Sequence, residues 1–412
     1  MSRTVYVIGA GLAGLSAAVA LAGRGERVEV FEGAAQAGGR CRSYHDPQLD
    51  AVIDNGNHLV LSGNRAVHAY LAVIGAPDRL TGPDAAAIAF ADLKTGERWT
   101  IRPNAGRLPW WIFAQDRRVP GTTPGDYLSL AALLRPPAGR RLDQVIACRG
   151  RLWDKLLQPF LLAVLNTEPE AGSADLAAAV MRETLALGGE ACRPRIAHPT
   201  LASAFVDPAL AYLKAHGATV HLGKRVRSLD LVDGRLAAFA LPDRTVTLDP
   251  EDRVILAVPP WAAHDLIPGL KAPDDFRATV NGHFLAPAPV GAEPMVGLIG
   301  GTAEWVFAFP DRISVTVSGA DRLLDDDRED LARRLWADVA ALHGLPPELP
   351  PWQIVKERRA TFAATPEQDA RRPAARTAWS NLFLAGDWTA TGLPATIEGA
   401  LRSGRTAADL IS

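Results

Sequence analysis

Three glycines near the N-terminus have the spacing that brings a polypeptide backbone close to a phosphate group. They occur in the run Gly9-Ala10-Gly11-Leu12-Ala13-Gly14. We expect Gly9 to allow a tight turn, Gly11 to let the backbone approach a pyrophosphate, and Gly14 to let a helix pack closely on a strand. The free N–H groups at the start of that helix, including those of Leu12 and Ala13, favour a negatively charged ligand.

The elements around this loop have the order that a dinucleotide site requires. A β-branched and aromatic segment at residues 4–8 predicts a buried parallel strand, and an Ala/Leu-rich segment after the glycines predicts a helix to about Arg24. A second strand at residues 28–31 leads to Glu32, 18 residues after Gly14, where a carboxylate binds ribose hydroxyls and disfavours a 2′-phosphate. The glycines alone would also suit a simple turn, but the complete context favours dinucleotide binding.

Three further motifs narrow the identity of the dinucleotide. They are Gly38-Gly39-Arg40, residues 381–388 with the pair Gly386-Asp387, and residues 394–400. In this order they resemble the FAD-dependent amine oxidase and carotenoid desaturase superfamily. The resemblance implies FAD as cofactor, with Arg40 near the pyrophosphate and flavin, and with Asp387 hydrogen-bonded to the ribitol chain. It also implies that backbone amides around Ile397 and Glu398 meet the pyrophosphate or flavin, and that the backbone of Val226 contacts the adenine.

The same resemblance implies how the chain is divided. The expected fold class is α/β, with a discontinuous Rossmann-like FAD-binding domain and an inserted α+β substrate domain. Short predicted strands between residues 218 and 258, with the turn pair Asp233-Gly234, belong to the cofactor domain. The FAD-binding domain would comprise residues 1–60, 201–260 and 372–412, and the substrate domain residues 61–200 and 261–371.

Three stretches outside the FAD motifs indicate a narrower group. They are residues 54–58 (DNGNH), 158–167 (QPFLLAVLNT) and 356–366 (KERRATFAATP). Together they resemble the hydroxysqualene dehydroxylases of bacterial hopanoid synthesis. The resemblance implies an oxidoreductase that acts on a long isoprenoid lipid and uses reduced FAD to remove the hydroxyl of hydroxysqualene, giving squalene. Loss of water from this allylic alcohol would leave a delocalised cation that a hydride can quench.

Three other functions stay open from the sequence. An FAD-dependent desaturase of a carotenoid-type isoprenoid would share the cofactor motifs. A flavin amine oxidase is less favoured, because the chain has only six lysines and none lies in an obvious flavin-facing motif. A non-catalytic FAD-binding scaffold that passes squalene precursors between enzymes is the alternative outside catalysis.

Asp54 and His58 follow a predicted strand after the flavin-proximal loop and are the best-placed polar pair for catalysis. One hypothesis makes His58 the acid that protonates the departing hydroxyl, because its ordinary pKa lies near working pH, with Asp54 orienting it. Asn57 is a further candidate, for contact with the flavin ring or the hydroxyl. The alternative, which we favour from the sequence, is that Asp54 and His58 satisfy backbone groups at a strand end.

Composition argues against several partners and sites. The 44 Lys and Arg residues against 46 Asp and Glu residues give a net charge of −2, too little positive field for nucleic acid binding. Three cysteines cannot form a disulfide framework, so a cytoplasmic setting is expected. The cysteines and histidines show no ligand spacing, and no metal is predicted. No second Gly-x-Gly-x-x-Gly occurs, so a transient electron donor is expected to re-reduce the flavin.

Two apolar segments of the chain could serve a function beyond packing of the core. Hydrophobic residues make up 48% of the sequence, yet no uncharged apolar window of about 18 residues predicts a membrane span. Residues 153–165 are apolar at helical spacing, which suits a core helix, a hydrocarbon tunnel or both. Trp110 and Trp111, between Arg107 and the pair Arg117-Arg118, suit contact with membrane headgroups and a peripheral position on the inner face of the cytoplasmic membrane. Inward packing of both tryptophans is the alternative.

Overall fold

The computed structural model describes residues 3–411, whose strands form five sheets. In chain order the strands are β1 Thr4–Ile8, β2 Arg27–Phe31, β3 Ser43–Asp46, β4 Ala51–Asp54, β5 Leu59–Leu61, β6 Leu80–Thr81, β7 Ile88–Asp92, β8 Arg98–Ile101, β9 Pro194–Ala197, β10 Thr219–His221, β11 Ser228–Val232, β12 Arg235–Ala240, β13 Thr245–Thr247, β14 Arg253–Leu256, β15 Phe276–Phe284, β16 Met295–Ile299, β17 Trp305–Ala308, β18 Ile313–Val317, β19 Trp352–Phe362 and β20 Leu382–Leu384. The α-helices are α1 Leu12–Ala22, α2 Arg65–Val73, α3 Ser129–Leu134, α4 Gln158–Leu165, α5 Ala174–Glu183, α6 Asp207–Ala215, α7 Pro260–Leu266, α8 Arg328–His343, α9 Pro366–Asp369 and α10 Ile397–Asp409.

A five-stranded parallel sheet carries the glycine loop. Its order is β10-β2-β1-β14-β20, so its strands come from three separated pieces of the chain. The central strands β1 and β14 are apolar runs buried on both faces, as parallel sheets covered by helices require. Helices α1 and α10 pack against each other beside this sheet. The predicted domain boundaries themselves stay a prediction.

A seven-stranded mixed sheet forms the second body of the fold. Its order is β19-β15-β18-β17-β16-β7-β8, and its neighbours are antiparallel except for β7 and β16. Helix α8 contacts it through a buried apolar stripe that includes Leu331, Leu335 and Val339. The Asp327 side chain caps the start of α8, and Gly344 with φ +65° ends it. The amphipathic pattern of this segment follows directly from its position on the sheet.

The apolar segment at residues 153–165 lies between these parts. It starts with a wide π-helical turn at Trp153–Leu157 and continues as α4, with Pro159 at the second position of the helix. Proline is tolerated there because the missing N–H would have no partner within the first turn. Most of its buried residues, among them Trp153 and Leu161, belong to one apolar cluster with Phe31 of the parallel sheet and Trp305 of the mixed sheet. No helix within residues 3–411 has both the length and the apolar character needed to cross a bilayer.

Candidate active site

The glycine loop between β1 and α1 is shaped by steric limits that differ at each glycine. Gly9 has φ +108°, and a Cβ there would lie 2.4 Å from the carbonyl oxygen of Ala257. A Cβ on Gly14 would lie 1.9 Å from the carbonyl oxygen of Gly9, whereas a Cβ on Gly11 would meet no atom within 4 Å. The fold itself therefore requires Gly9 and Gly14, while open space lies in front of Gly11.

That open space lies at the start of α1. Gly11 is the N-cap residue, and no side chain caps the helix. Leu12 and Ala13 supply its first N–H groups, which have no partner within a helix. The Gly38 N–H donates to the carbonyl of Ala10 at 2.8 Å, so the second glycine motif borders the same loop. An uncapped helix start with a glycine-lined approach fits a pyrophosphate group.

Glu32, directly after β2, has its carboxylate on this loop. The carboxylate accepts hydrogen bonds from the N–H groups of Ala10 at 2.7 Å and Ala34 at 2.8 Å. Each oxygen keeps a further lone pair, so Glu32 can fix the loop and still accept from ribose hydroxyls. The segment with buried Val226 runs alongside, since the Lys224 N–H donates to the Glu32 carbonyl at 2.7 Å. Strand β11 begins two residues after Val226.

Arg40 joins both ends of the chain to the mixed sheet. Its Nη2 lies 2.7 and 2.8 Å from the two carboxylate oxygens of Asp387, and its Nη1 donates to the carbonyl of Ala360 in β19. Gly39, directly before it, approaches Gly11 so closely that an added Cβ would lie 3.3 Å from the Gly11 Cα. Predicted cofactor residues that are 347 positions apart in sequence are thus brought together.

The turn that carries Asp387 is held by a residue missed in the sequence. Arg372 is buried and donates to the carbonyl oxygens of Asp387 at 3.1 Å and Thr389 at 2.9 Å. Gly386, with φ +154°, donates its N–H to Ser403 Oγ at 2.8 Å. The sequence signal for Arg372 is weak: it stands where the chain is predicted to return to the FAD-binding domain.

Ile397 and Glu398 form the start of α10. The Thr396 side chain caps this helix by accepting a backbone N–H at 3.0 Å. The buried carboxylate of Glu398 accepts from the N–H groups of Ala66 and Val67, both at 3.0 Å, and so caps α2. The Glu398 side chain therefore stabilises the start of α2. The backbone N–H groups of Ile397 and Glu398, rather than this side chain, are the groups that could bind an anionic ligand.

Two cavities adjoin Arg40 and His58. The first, which we call the larger cavity, is lined by Arg40, Pro259, Pro260, Trp261, Phe276, Arg359, Thr361, Phe362, Asp387 and Trp388. The second, which we call the smaller cavity, is lined by Asp54, Asn57, His58, Ile196, Ala197, Leu201 and Phe309. The positive charge of Arg40, in the larger cavity, helps to lower the pKa of His58, in the smaller one.

Asp54 and His58 line the same cavity but are not hydrogen-bonded to each other. Asp54 Oδ1 accepts from Ser43 Oγ at 2.5 Å and from the Leu201 N–H at 2.9 Å. Within residues 3–411 the His58 side chain makes no hydrogen bond. The geometry does not support Asp54 as the group that orients His58. Asp54 instead satisfies the backbone at the start of a helical segment, in line with the alternative given above.

Burial shifts the pKa values of these two groups in opposite directions. It lowers the pKa of His58 to about 4, and the positive charge of Arg40 adds to this effect. It raises the pKa of Asp54 above its ordinary value, against hydrogen bonds from Ser43 and Leu201 that lower it. His58 is therefore neutral at pH 7 and a poor proton donor.

Asn57 lies where the smaller cavity meets the mixed sheet. Its N–H lies 3.3 Å from Asn281 Oδ1, and its Nδ2 donates to Thr316 Oγ1 at 3.1 Å. The Thr316 hydroxyl in turn donates to Asn281 Oδ1 at 2.8 Å. Asn57 thus ties the loop that carries His58 to strands β15 and β18.

The tryptophan pair expected at a membrane divides into one buried and one exposed ring. Trp111 is only 6% exposed and packs edge-on against Tyr127 at 5.3 Å, which matches the inward packing given as the alternative for this ring. Trp110 is 65% exposed. With three other exposed side chains it forms what we call the apolar patch, defined as Leu108, Trp110, Phe113 and Leu128.

Comparisons with known proteins agree with this geometry. A sequence profile described as flavin-containing amine oxidoreductase matches residues 12–412. The chain belongs to this family. Two relatives bear the name hydroxysqualene dehydroxylase. That of Rhodopseudomonas palustris is 52% identical over 412 residues, which are 100% of this chain and 99% of the relative. That of Sinorhizobium fredii is 52% identical over 410 residues, which are 100% of this chain and 98% of the relative. A solved oxidoreductase from Methanosarcina mazei has the same fold, with a TM-score of 0.74 at 16% identity over 99% of this chain and 100% of that one.

Family membership confirms several predictions. The α/β fold, the superfamily, the narrower resemblance to hydroxysqualene dehydroxylases and FAD as the cofactor are all confirmed. The residues present also fit FAD, because the space in front of Gly11 is open and the first amides of α1 are uncapped. Within residues 3–411 no group of three or more His, Cys, Asp or Glu side chains is arranged to hold a metal ion.

Proposed function

We propose that this protein is an FAD-dependent hydroxysqualene dehydroxylase, which converts hydroxysqualene to squalene. The observation that carries the proposal is its 52% identity, over the full chain, to relatives that bear this name. The site agrees in character, because its cavities combine the Arg40–Asp387 pair with aromatic and aliphatic walls. Such walls suit a long hydrocarbon with one polar group.

The reaction replaces a C–O bond of the alcohol by a C–H bond. Reduced FAD, when bound, supplies the two electrons and the hydrogen as a hydride. The chain holds the cofactor, holds the alcohol away from water and gives the leaving hydroxyl a proton, so that the hydroxyl departs as water. The residues that would hold FAD are the loop Gly9 to Gly14, Glu32, Gly38, Gly39, Arg40, Gly386, Asp387 and the backbones of Val226, Ile397 and Glu398.

Asp54 is the proton donor that this site offers best. Its Oδ1 accepts both hydrogen bonds described above, so Oδ2 can carry the proton. Burial raises the pKa of Asp54, which favours the protonated form, whereas His58 is neutral. Asn57 holds the loop between them on the mixed sheet.

One anaerobic experiment tests the function. Holoenzyme is reduced with dithionite, freed of excess reductant and incubated with hydroxysqualene, and the products are analysed by gas chromatography and mass spectrometry. We expect squalene from the reduced enzyme and none from the oxidised enzyme. Conversion of a polyene by the oxidised enzyme alone would indicate a desaturase instead, and no conversion by either form would favour the scaffold.

A separate electron donor completes the cycle in this proposal. The sequence contains no second dinucleotide fingerprint that could hold a reduced nicotinamide. In a stopped-flow experiment we therefore expect NADH or NADPH alone to reduce the bound flavin much more slowly than a donor protein does. Rapid reduction by either nucleotide alone would contradict this part of the proposal.

The apolar patch is proposed to rest on a membrane surface that supplies the lipid substrate. Four large apolar side chains, each more than 60% exposed, lie near the cations Arg107 and Arg117. Aromatic and aliphatic groups with neighbouring arginines suit the headgroup layer of an anionic bilayer. The double variant Trp110→Ser/Phe113→Ser should lose flotation with anionic liposomes, while Val290→Ser, which removes an exposed side chain outside the patch, should not. Absence of flotation by the unmodified protein would contradict the proposal.

A further inference from the structure

The smaller cavity combines an apolar wall with a polar floor. The wall consists of Ile196, Ala197, Leu201 and Phe309, and the floor of Asp54, Asn57 and His58. Contacts made by the lining residues hold the wall against the floor and the neighbouring chain. The Leu201 N–H is bound to Asp54, and the Arg312 guanidinium lies 4.1 Å from the centre of the Phe309 ring. These contacts hold Leu201 and Phe309 in place on the apolar wall.

The polar groups of this floor differ in how many of their hydrogen-bonding atoms are still without a partner. Asn57 uses its amide N–H group on Thr316, and Asp54 accepts two hydrogen bonds through one oxygen. The His58 ring has no hydrogen-bond partner within residues 3–411. A neutral imidazole presents one donor and one acceptor nitrogen, which is also what an alcohol hydroxyl presents. His58 and a hydroxyl group are therefore complementary in both directions.

We propose that the smaller cavity receives the hydroxyl group of a neutral alcohol, with His58 as its hydrogen-bonding partner. The identity of that alcohol as hydroxysqualene rests on the proposed function. The larger cavity, which contains the Arg40–Asp387 pair, is left to the cofactor side. In this arrangement His58 recognises the hydroxyl, and Asp54 on the same floor protonates it.

The test compares hydroxysqualene with squalene, which has the same hydrocarbon skeleton without the hydroxyl. Oxidised holoenzyme does not turn over, so the Kd of each lipid can be measured from changes in the flavin absorption spectrum. We expect the unmodified enzyme to bind hydroxysqualene about tenfold more tightly than squalene. His58→Leu should abolish this preference with little change in the Kd of squalene. His58→Gln, which keeps a neutral donor and acceptor, should restore most of it.

The controls separate recognition from folding and from the proposed function. His45→Leu changes a surface histidine, paired with Asp50, and should leave both Kd values unchanged. Ala197→Leu adds bulk to the cavity wall and should weaken both lipids together without loss of bound FAD. Full preference for hydroxysqualene in His58→Leu, or no recovery in His58→Gln, would overturn the role of His58. Squalene formation by the reduced unmodified enzyme tests the function independently of either result.

Discussion

Replacement of Gly11 by alanine should separate folding from cofactor binding. The backbone at Gly11, with φ −72° and ψ 175°, is extended and open to any residue. The added methyl group would meet no protein atom within 4 Å. It would instead occupy the space in front of the uncapped helix start, where the pyrophosphate of FAD must approach the first amides of α1.

The expected magnitudes follow from these two facts. Alanine in a compatible backbone conformation stabilises a protein by about 0.4–1 kcal/mol through the unfolded chain. Alanine is also a poorer N-cap than glycine, which offsets most of that gain, so the free energy of unfolding should change by less than about 0.5 kcal/mol. For FAD binding, we expect the methyl group to cost one hydrogen bond between an amide of α1 and the charged pyrophosphate. Loss of such a bond costs about 1.5–3 kcal/mol of binding free energy, which weakens FAD binding by about 10- to 100-fold.

Two measurements on the apoprotein check this. Urea unfolding followed by circular dichroism gives the free energy of unfolding, and quenching of flavin fluorescence gives the Kd of FAD. Gly106→Ala, on an exposed loop with similar free space, should change neither quantity. Gly14→Ala should fail to fold, because its Cβ would lie 1.9 Å from a backbone oxygen. An unchanged Kd in Gly11→Ala would refute the placement of the pyrophosphate at this loop.

Further outcomes are expected elsewhere in the molecule. Asp54→Asn keeps the acceptor for Leu201 but cannot give a proton, so oxidation of reduced flavin by hydroxysqualene in a single turnover should slow about 100-fold or more, and an unchanged rate would exclude the role of acid. Arg372→Met should weaken FAD binding at least about tenfold through the Asp387 turn, whereas Arg371→Met, at an exposed neighbour, should not. Burial raises the pKa of Glu304 from its ordinary 4.5 to about 7, so the native state holds a proton that the unfolded chain releases, and stability falls as pH rises from 4.5 to 7. Glu304→Gln should remove that fall, by up to about 3 kcal/mol in urea titrations at pH 5 and 8, and an unaltered pH dependence would contradict this reasoning.

Features that depend on neighbours in sequence could be predicted, and those that depend on distant partners could not. The glycine loop, its flanking strands and Glu32 lie within 32 residues, so their spacing alone gives both their structure and their chemistry. The role of Asp54 is set by Leu201, 147 residues further along, and that of Glu398 by amides more than 330 residues away. Hydrogen bonds between residues so far apart in sequence cannot be predicted from a local sequence pattern.

The same limit applies to burial. His58 is expected near its ordinary pKa from its residue type, yet the surrounding walls and Arg40 lower that pKa to about 4. Trp110 and Trp111 are adjacent and chemically identical, but one faces solvent and the other packs on Tyr127. Which member of such a pair is buried is decided by tertiary packing, which the sequence of a short turn does not encode.

The position of β20 at the edge of the parallel sheet has a consequence for synthesis of the chain. Strand β14 pairs with β1 on one side, but its other side stays open until residues 382–384 have left the ribosome. An open edge of a buried apolar strand readily pairs with other chains. Asp387 lies three residues after the end of β20, so the partner of Arg40 emerges shortly after this strand. A chain that terminates before residue 382 would therefore leave one edge of β14 unpaired and would also lack part of the cofactor site. We expect such truncated chains to aggregate rather than to keep partial activity.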